Sequence, residues 1–325
     1  YVKVVFRGIE NKASSRTRLG YAIDIKTFYN FLCSECPQFR GRKPIDITLD
    51  DISRLEAEDI EEYLEYLKYY EKNGKIYTNG EQAIKRKLSA LRVFYAYLYK
   101  NNRISSNPVE KVDMPKIHGK TITRLDINEI ADFLDAVEYG DHLTEHQQAY
   151  HAKTKVRDLA ILTLMLGTGI RVSECVGIDL NDVDFNNGRV KVTRKGGYES
   201  YVYFGDEVTA ALTDYFEERK HIEPVSGHEN ALFLSSQRKR MSVRSVEMLV
   251  KKYSEGVIPM KHITPHKLRS TYGTELYRET GDIYLVADVL GHSDVNTTRK
   301  HYADMDEDRR RSVRNRVQLR EKRDN

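Results

Sequence analysis

The chain has 325 residues, 40% of them hydrophobic and 31% charged, which is enough for two domains each with its own core. The longest strongly apolar stretch, LAILTLML at 159–166, is far too short to span a bilayer, and three cysteines do not make a disulfide scaffold. A net charge of +4 names no partner by itself, but the basic residues are clustered: KRK at 85–87, RKR at 238–240, and eight Lys/Arg against two acids over 309–325. Such clusters can neutralise phosphates and release their counterions, although solvated helix faces and a loose tail account for them equally well.

The opening YVKVVFRG lacks the order of basic, apolar and small residues of a secretory signal, so a cytoplasmic protein is the expectation. Residues 1–12 form an N-terminal extension, and the pattern from 13 to 110 reads as wholly helical. Tyr21, Ile25, Phe28 and Leu32 recur at helix spacing, as do Ile60, Tyr63, Leu64 and Leu67. A third helix over 81–100 aligns Ile84, Leu88, Leu91, Phe94 and Tyr95 on one stripe and carries Lys85, Arg86 and Arg92 opposite. Cys33 and Cys36 form a CxxC inside the first helical pattern. With no second ligand pair in the chain, packing explains them better than zinc.

SSNPVEKVDMPKIHGKT, 105–121, breaks the periodicity with two prolines and a glycine and contains the linker, 111–120. The remainder, 121–325, is mixed. LDINEIADFLDAV begins a helix, and VDFNNGRVKVTRKGGYESYVYF alternates around Asn-Asn-Gly and Gly-Gly turns, predicting a three-stranded antiparallel meander. Helices return over about 206–221 and 243–253. The fold class is therefore mainly α with a small antiparallel sheet.

Four segments of this second part carry chemistry. In GTGIRVSE, 167–174, a Gly-Thr-Gly turn delivers Arg171 to a helix start, and Glu174 three residues on can hold its guanidinium, which suits two phosphate oxygens. In TRKGG, 193–197, Arg194 and Lys195 sit at a hairpin tip from which a cation can reach into a groove. In HITPHKLRS, 262–270, Thr264 is a suitable N-cap and Pro265 fits the first helical position. His266 and Arg269 then add an imidazole and a guanidinium to amide N–H groups that already favour an anion. In LGHSDVNTTRKHY, 290–302, His292 follows a glycine that ends one helix, and Asn296 can cap the next, which carries Tyr302. Taken singly, each has an ordinary structural explanation: an ion pair, a solvated turn, a capped helix, an amphipathic tyrosine.

In combination and in this order, the four segments resemble the tyrosine recombinase and integrase family: phage integrases, chromosome-dimer-resolving recombinases and, most of all, integrases of bacterial conjugative transposons. The resemblance covers nearly the whole chain. It implies a helical core-binding domain over 13–110 and a catalytic domain over 121–325 whose last stretch, about 305–325, is a tail exchanged between neighbours. It further implies that Arg171 and Arg269 with His292 bind the non-bridging phosphate oxygens, that Tyr302 attacks to give a 3′-phosphotyrosine, that Lys195 protonates the departing 5′-oxygen and that His266 assists deprotonation of the tyrosine. No metal and no ATP are required by that chemistry. The implied partners are double-stranded recombination sites, a homo-tetramer on DNA, and accessory DNA-bending or excision factors. Lys85, Arg86, Lys87, Arg194, Arg238, Lys239 and Arg240 are the expected DNA contacts.

This chain has Ser270 where many relatives carry a second histidine, and His301 is a basic neighbour of the nucleophile. So few residues precede the first helix that an arm-binding domain is not expected within this chain. Two alternatives use the same residues. A type IB topoisomerase shares the tyrosine chemistry, but its motif spacing fits less well. A DNA-binding relative without activity would not be expected to keep all six residue types. The four segments contain no acidic cluster of the kind that holds two cations. Covalent protein–DNA complexes are therefore expected to form at an unchanged rate in EDTA, and their loss on chelation would rule out this chemistry.

Overall fold

The computed structural model describes residues 13–72, 74–118, 123–194 and 196–292, together with the single positions 5, 8 and 295. The chain forms two compact units, 1–120 and 121–325, each with its own hydrophobic core. Among the described residues no helix is long and apolar enough to cross a membrane.

The first unit is built on helices α1 (Ser15–Ser34), α2 (Leu49–Ser53), α3 (Ala57–Lys68) and α4 (Glu81–Lys100). Ser14 caps α1 by accepting from the Thr17 amide, and a Thr48–Asp51 box starts α2. The apolar stripes turn inward: Ile25, Phe28 and Leu32 of α1, Ile60, Tyr63 and Leu67 of α3, and Ile84, Leu88, Leu91, Phe94 and Tyr95 of α4 are buried. Phe28 meets Tyr63 edge to face with ring centroids 5.0 Å apart, the arrangement favoured by the ring quadrupoles.

The periodicity predicts a wholly helical unit, and the structure corrects this. Between α3 and α4 an antiparallel hairpin, β1 (Tyr69–Lys72) and β2 (Lys75–Thr78), pairs Tyr70 with Tyr77. Its sequence signal is Asn-Gly at 73–74 between β-favouring residues, with Gly74 at φ +70°. The rings of Tyr66, Tyr70 and Tyr77 stack in succession at 4.8 and 5.3 Å, tying the hairpin to α3.

The three cysteines pack as expected. Cys36 and Cys175 are buried and Cys33 is half-buried against the core. Burial, with Asp59 and Glu62 nearby, pushes the Cys36 thiol up to about 11, and burial alone pushes Cys175 up to about 12.

The second unit is arranged around α6 (Glu145–Thr168), which packs against α5 (Ile127–Tyr139), α8 (Asp206–Lys220) and α10 (Pro265–Thr280). Contacts on several sides explain why Ala160, Ile161, Leu162, Leu164 and Met165 are all buried and why this stretch lacks a single apolar stripe. The short α7 (Val172–Gly177) leads into the meander β3 (Val183–Asp184), β4 (Arg189–Thr193) and β5 (Glu199–Tyr203), in the order β3-β4-β5 and antiparallel throughout. Val190 and Val202 face each other across it in the core. Helices α9 (Val243–Val257) and α11 (Ile283–Leu290) complete the unit. Buried Asp158 joins α6 to α9 by accepting from the Tyr253 hydroxyl at 3.0 Å and pairing with Arg157 at 2.6 Å.

In the first unit a charge is likewise held inside. Asp24, 1% exposed, pairs with Arg86 and with Lys87, whose Nζ lies 3.1 Å away. Removing only the carboxylate strands a buried ammonium, which typically costs about 3–5 kcal/mol. Asp24→Asn should lower the urea midpoint of the first unit accordingly, followed by far-ultraviolet circular dichroism. The double change Asp24→Leu with Lys87→Met should recover most of it. Equal loss in both variants would show that the pair is not the source of the effect.

Candidate active site

The site is assembled at the C-terminal end of α11 from three distant stretches of chain. The first begins where α6 stops at Gly169, whose φ of +63° is open to glycine at little cost. A Cβ there would sit 2.4 Å from the Tyr272 ring and 2.9 Å from Leu290, so neither backbone nor space admits a side chain. The turn places Arg171 at the N-cap of α7. Its Nη1 donates to Glu174 Oε1 at 2.7 Å while its backbone amide donates to Oε2 at 2.8 Å, and Glu174 is buried. The carboxylate therefore fixes both ends of the residue. The remaining terminal nitrogen, Nη2, donates to the Gly291 carbonyl at 3.1 Å.

Arg269 projects inward from α10 and is 7% exposed. It donates from Nη1 to the Gly169 carbonyl at 2.6 Å and from Nη2 to the Leu290 carbonyl. It thus joins the Gly-Thr-Gly turn to the end of α11. Thr271, two residues on, accepts from the Leu125 amide at 3.0 Å and fastens α10 to the start of α5. His292 follows directly, half-buried, its amide donating to the Ala287 carbonyl at 2.9 Å.

His266 lies on the exposed first turn of α10, three residues before Arg269. Ser270 Oγ is 3.4 Å from its Nδ1 and donates to its carbonyl at 3.0 Å. Thr264 occupies the N-cap and Pro265 the first turn, although the threonine side chain makes no capping bond. The structure thus brings Arg171, Arg269 and His292 to one helix end and carries His266 on the helix that supplies Arg269. Lys195, Asn296, His301 and Tyr302 lie outside the described residues.

Several expected DNA contacts are differently placed. Arg194 points inward: Nη1 donates to the Leu290 carbonyl at 2.9 Å and Nη2 to that of Val289 at 3.1 Å. The run at 85–87 does not form one basic face, because consecutive helical residues turn by about 100° each and three of them spread around the helix. Lys85 is half-buried, Arg86 is tied to Asp24 while its side chain stays half exposed, and Lys87 is buried against the same carboxylate. In the second run Arg238 and Lys239 are exposed, Arg238 at φ +59°. Arg240 instead turns in to Asp179 and to the carbonyls of Val176 and Ile178 at 3.1 and 3.0 Å, where it staples a loop. No periodicity in the sequence distinguishes these inward arginines from solvated ones, since their acceptors lie far along the chain.

The ensemble is a set of guanidinium groups held on the partially negative carbonyl end of a helix, which is the end that favours cations. Held in this way, Arg171 and Arg269 have fixed directions, and guanidinium groups can donate paired hydrogen bonds to phosphate oxygens.

The phage integrase family matches residues 123–309. Tyrosine recombinase XerC of Caldanaerobacter subterraneus subsp. tengcongensis is 33% identical over 298 residues, covering 88% of this chain and 77% of the relative. Tyrosine recombinase XerS of Lactococcus lactis subsp. cremoris is 32% identical over 280 residues, covering 79% of this chain and 78% of the relative. Among solved structures, the Tn1549 transposon integrase in complex with transposon right end DNA shares the fold at a TM-score of 0.70 and 21% identity, over 97% of this chain and 99% of that one. The XerH recombinase bound to its difH substrate does so at 0.66 and 19%, over 95% and 82%. With relatives this similar over most of its length, and the family's match centred on the unit that gathers these arginines, the chain belongs to the phage integrase family and is a tyrosine recombinase, an enzyme that breaks and rejoins DNA strands at specific sites.

Proposed function

We propose that Arg171, Lys195, His266, Arg269, His292 and Tyr302 are the reacting set, and that the enzyme serves integration and excision of a mobile element. The observation that carries the assignment is the convergence of Arg171 and Arg269 on the α11 terminus beside His292. A phosphodiester repels nucleophiles by its charge. Two guanidiniums and an imidazole on its non-bridging oxygens offset that repulsion and stabilise the pentacoordinate transition state. The Tyr302 oxygen, its proton drawn off with help from His266, forms a bond to phosphorus as the bond to the 5′-oxygen breaks. Lys195 gives the departing oxygen a proton. The free 5′-hydroxyl of a partner strand reverses the step, returning that proton and releasing the tyrosine, so the phosphate is transferred between strands rather than hydrolysed.

The partners proposed are two duplex recombination sites held by four copies of the chain, with DNA-bending or excision factors assisting, in the bacterial cytoplasm on the nucleoid. The relatives solved as complexes with recombination-site and transposon-end DNA support the duplex partner. The helical unit is the core-binding domain, and Lys85, Arg238 and Lys239 remain the DNA-backbone contacts, giving affinity but little sequence information. Residues beyond about 305, with Val313, Val317 and Leu319 as apolar anchors, form the segment exchanged between neighbours.

Nicked duplexes drawn from the flanks of the gene test the set. Tyr302→Phe should abolish covalent complexes while leaving gel-shift affinity within about twofold, and mapping the wild-type products locates the cleaved phosphate. An enzyme unchanged by Tyr302→Phe would be a DNA-binding relative or use another nucleophile. Deleting 309–325 should reduce synapsis of two sites far more than binding to one; equal losses would remove the exchange role from that segment.

A further inference from the structure

Arg194 precedes Lys195 in the chain and directly follows the last residue of strand β4. Its guanidinium reaches 95 and 96 residues along the chain to the Val289 and Leu290 carbonyls, at 3.1 and 2.9 Å. The Leu290 oxygen is the acceptor that also holds Arg269, and the adjoining Gly291 oxygen holds Arg171. The space for this guanidinium exists because residue 291 is glycine. A Cβ there would lie 2.0 Å from Arg194 Nη1, and Gly291 is at φ +60°. At the base of the turn the Arg194 amide donates to the Tyr198 carbonyl at 2.7 Å, and its carbonyl accepts from Gly197 at 3.1 Å. One residue is therefore fixed to the hairpin by its backbone and to the arginine-bearing helix end by its side chain.

We propose that Arg194 is a positioning residue for the known reaction: it docks the β4–β5 hairpin on the α11 terminus, and its loss impairs the proton transfer assigned above to Lys195. The inference rests on the role of Lys195 given above. Two forked N–H donors meeting two successive carbonyls fix direction as well as distance, which a lysine ammonium at 194 cannot reproduce.

A 5′-bridging phosphorothiolate substrate separates positioning of the acid from every other role, because a thiolate leaves without needing a proton. On ordinary DNA, Arg194→Ala should slow covalent complex formation about 10- to 100-fold, within the range a general acid contributes. On the sulfur substrate it should stay within about threefold of wild type. Arg194→Lys should fall between.

Circular dichroism confirms that each variant is folded. Equal slowing on both substrates would overturn the inference and make Arg194 a structural or phosphate-binding group. So would a shallower salt dependence of DNA affinity with no oxygen–sulfur difference, which is the mark of a lost phosphate contact. Lys195→Ala is the control. If sulfur does not rescue it, the lysine is not the acid, and the reading on which this inference rests fails first; if sulfur rescues Lys195→Ala but not Arg194→Ala, only the positioning role is lost.

Discussion

The gathering of arginines in the second unit depends on the carbonyls at the end of one short helix. An α-helix leaves its last carbonyls without intrahelical partners, and here those of residues 289–291 accept from three arginines that enter from the Gly-Thr-Gly turn, from strand β4 and from α10. The helix end favours positive charge, and the arginines in turn are oriented by it. An arginine bound only to carboxylates would have its charge offset. Carbonyl acceptors orient such a group without placing a full negative charge beside it.

The two glycines follow from the same constraint. Gly169 and Gly291 both adopt the left-handed conformation that ends a helix, and both lie where a side chain would collide with the groups being gathered, Tyr272 and Leu290 in one case and Arg194 in the other. Glu174, buried and bound to both the amide and the guanidinium of Arg171, keeps that residue at the turn.

Much of this was legible in the sequence, and the exceptions have specific causes. Helical stripes such as Ile84–Leu88–Leu91–Tyr95 report the direction of a core directly, because burial and the helical period are the same information. The meander announced itself through Asn-Gly and Gly-Gly turns. The hairpin at 69–78 carried an equally plain Asn-Gly signal but was submerged between two strongly periodic helices. The direction of the arginines was less accessible. Glu174 three residues from Arg171 is a local pairing, readable from spacing. Arg194, Arg240 and Lys87 owe their inward direction to acceptors 61 to 96 positions away, and a basic residue beside other basic residues looks the same whether it faces solvent or a carbonyl.

The cysteines have one more consequence. Thiolate, not thiol, reacts with peroxides and disulfides, and burial keeps Cys36 and Cys175 protonated well above neutral pH, with Cys33 shifted in the same direction. Cys36 and Cys175 thus serve as packing in the two cores, where a thiol held protonated is a poor nucleophile beside an enzyme chemistry that runs through a tyrosine oxygen.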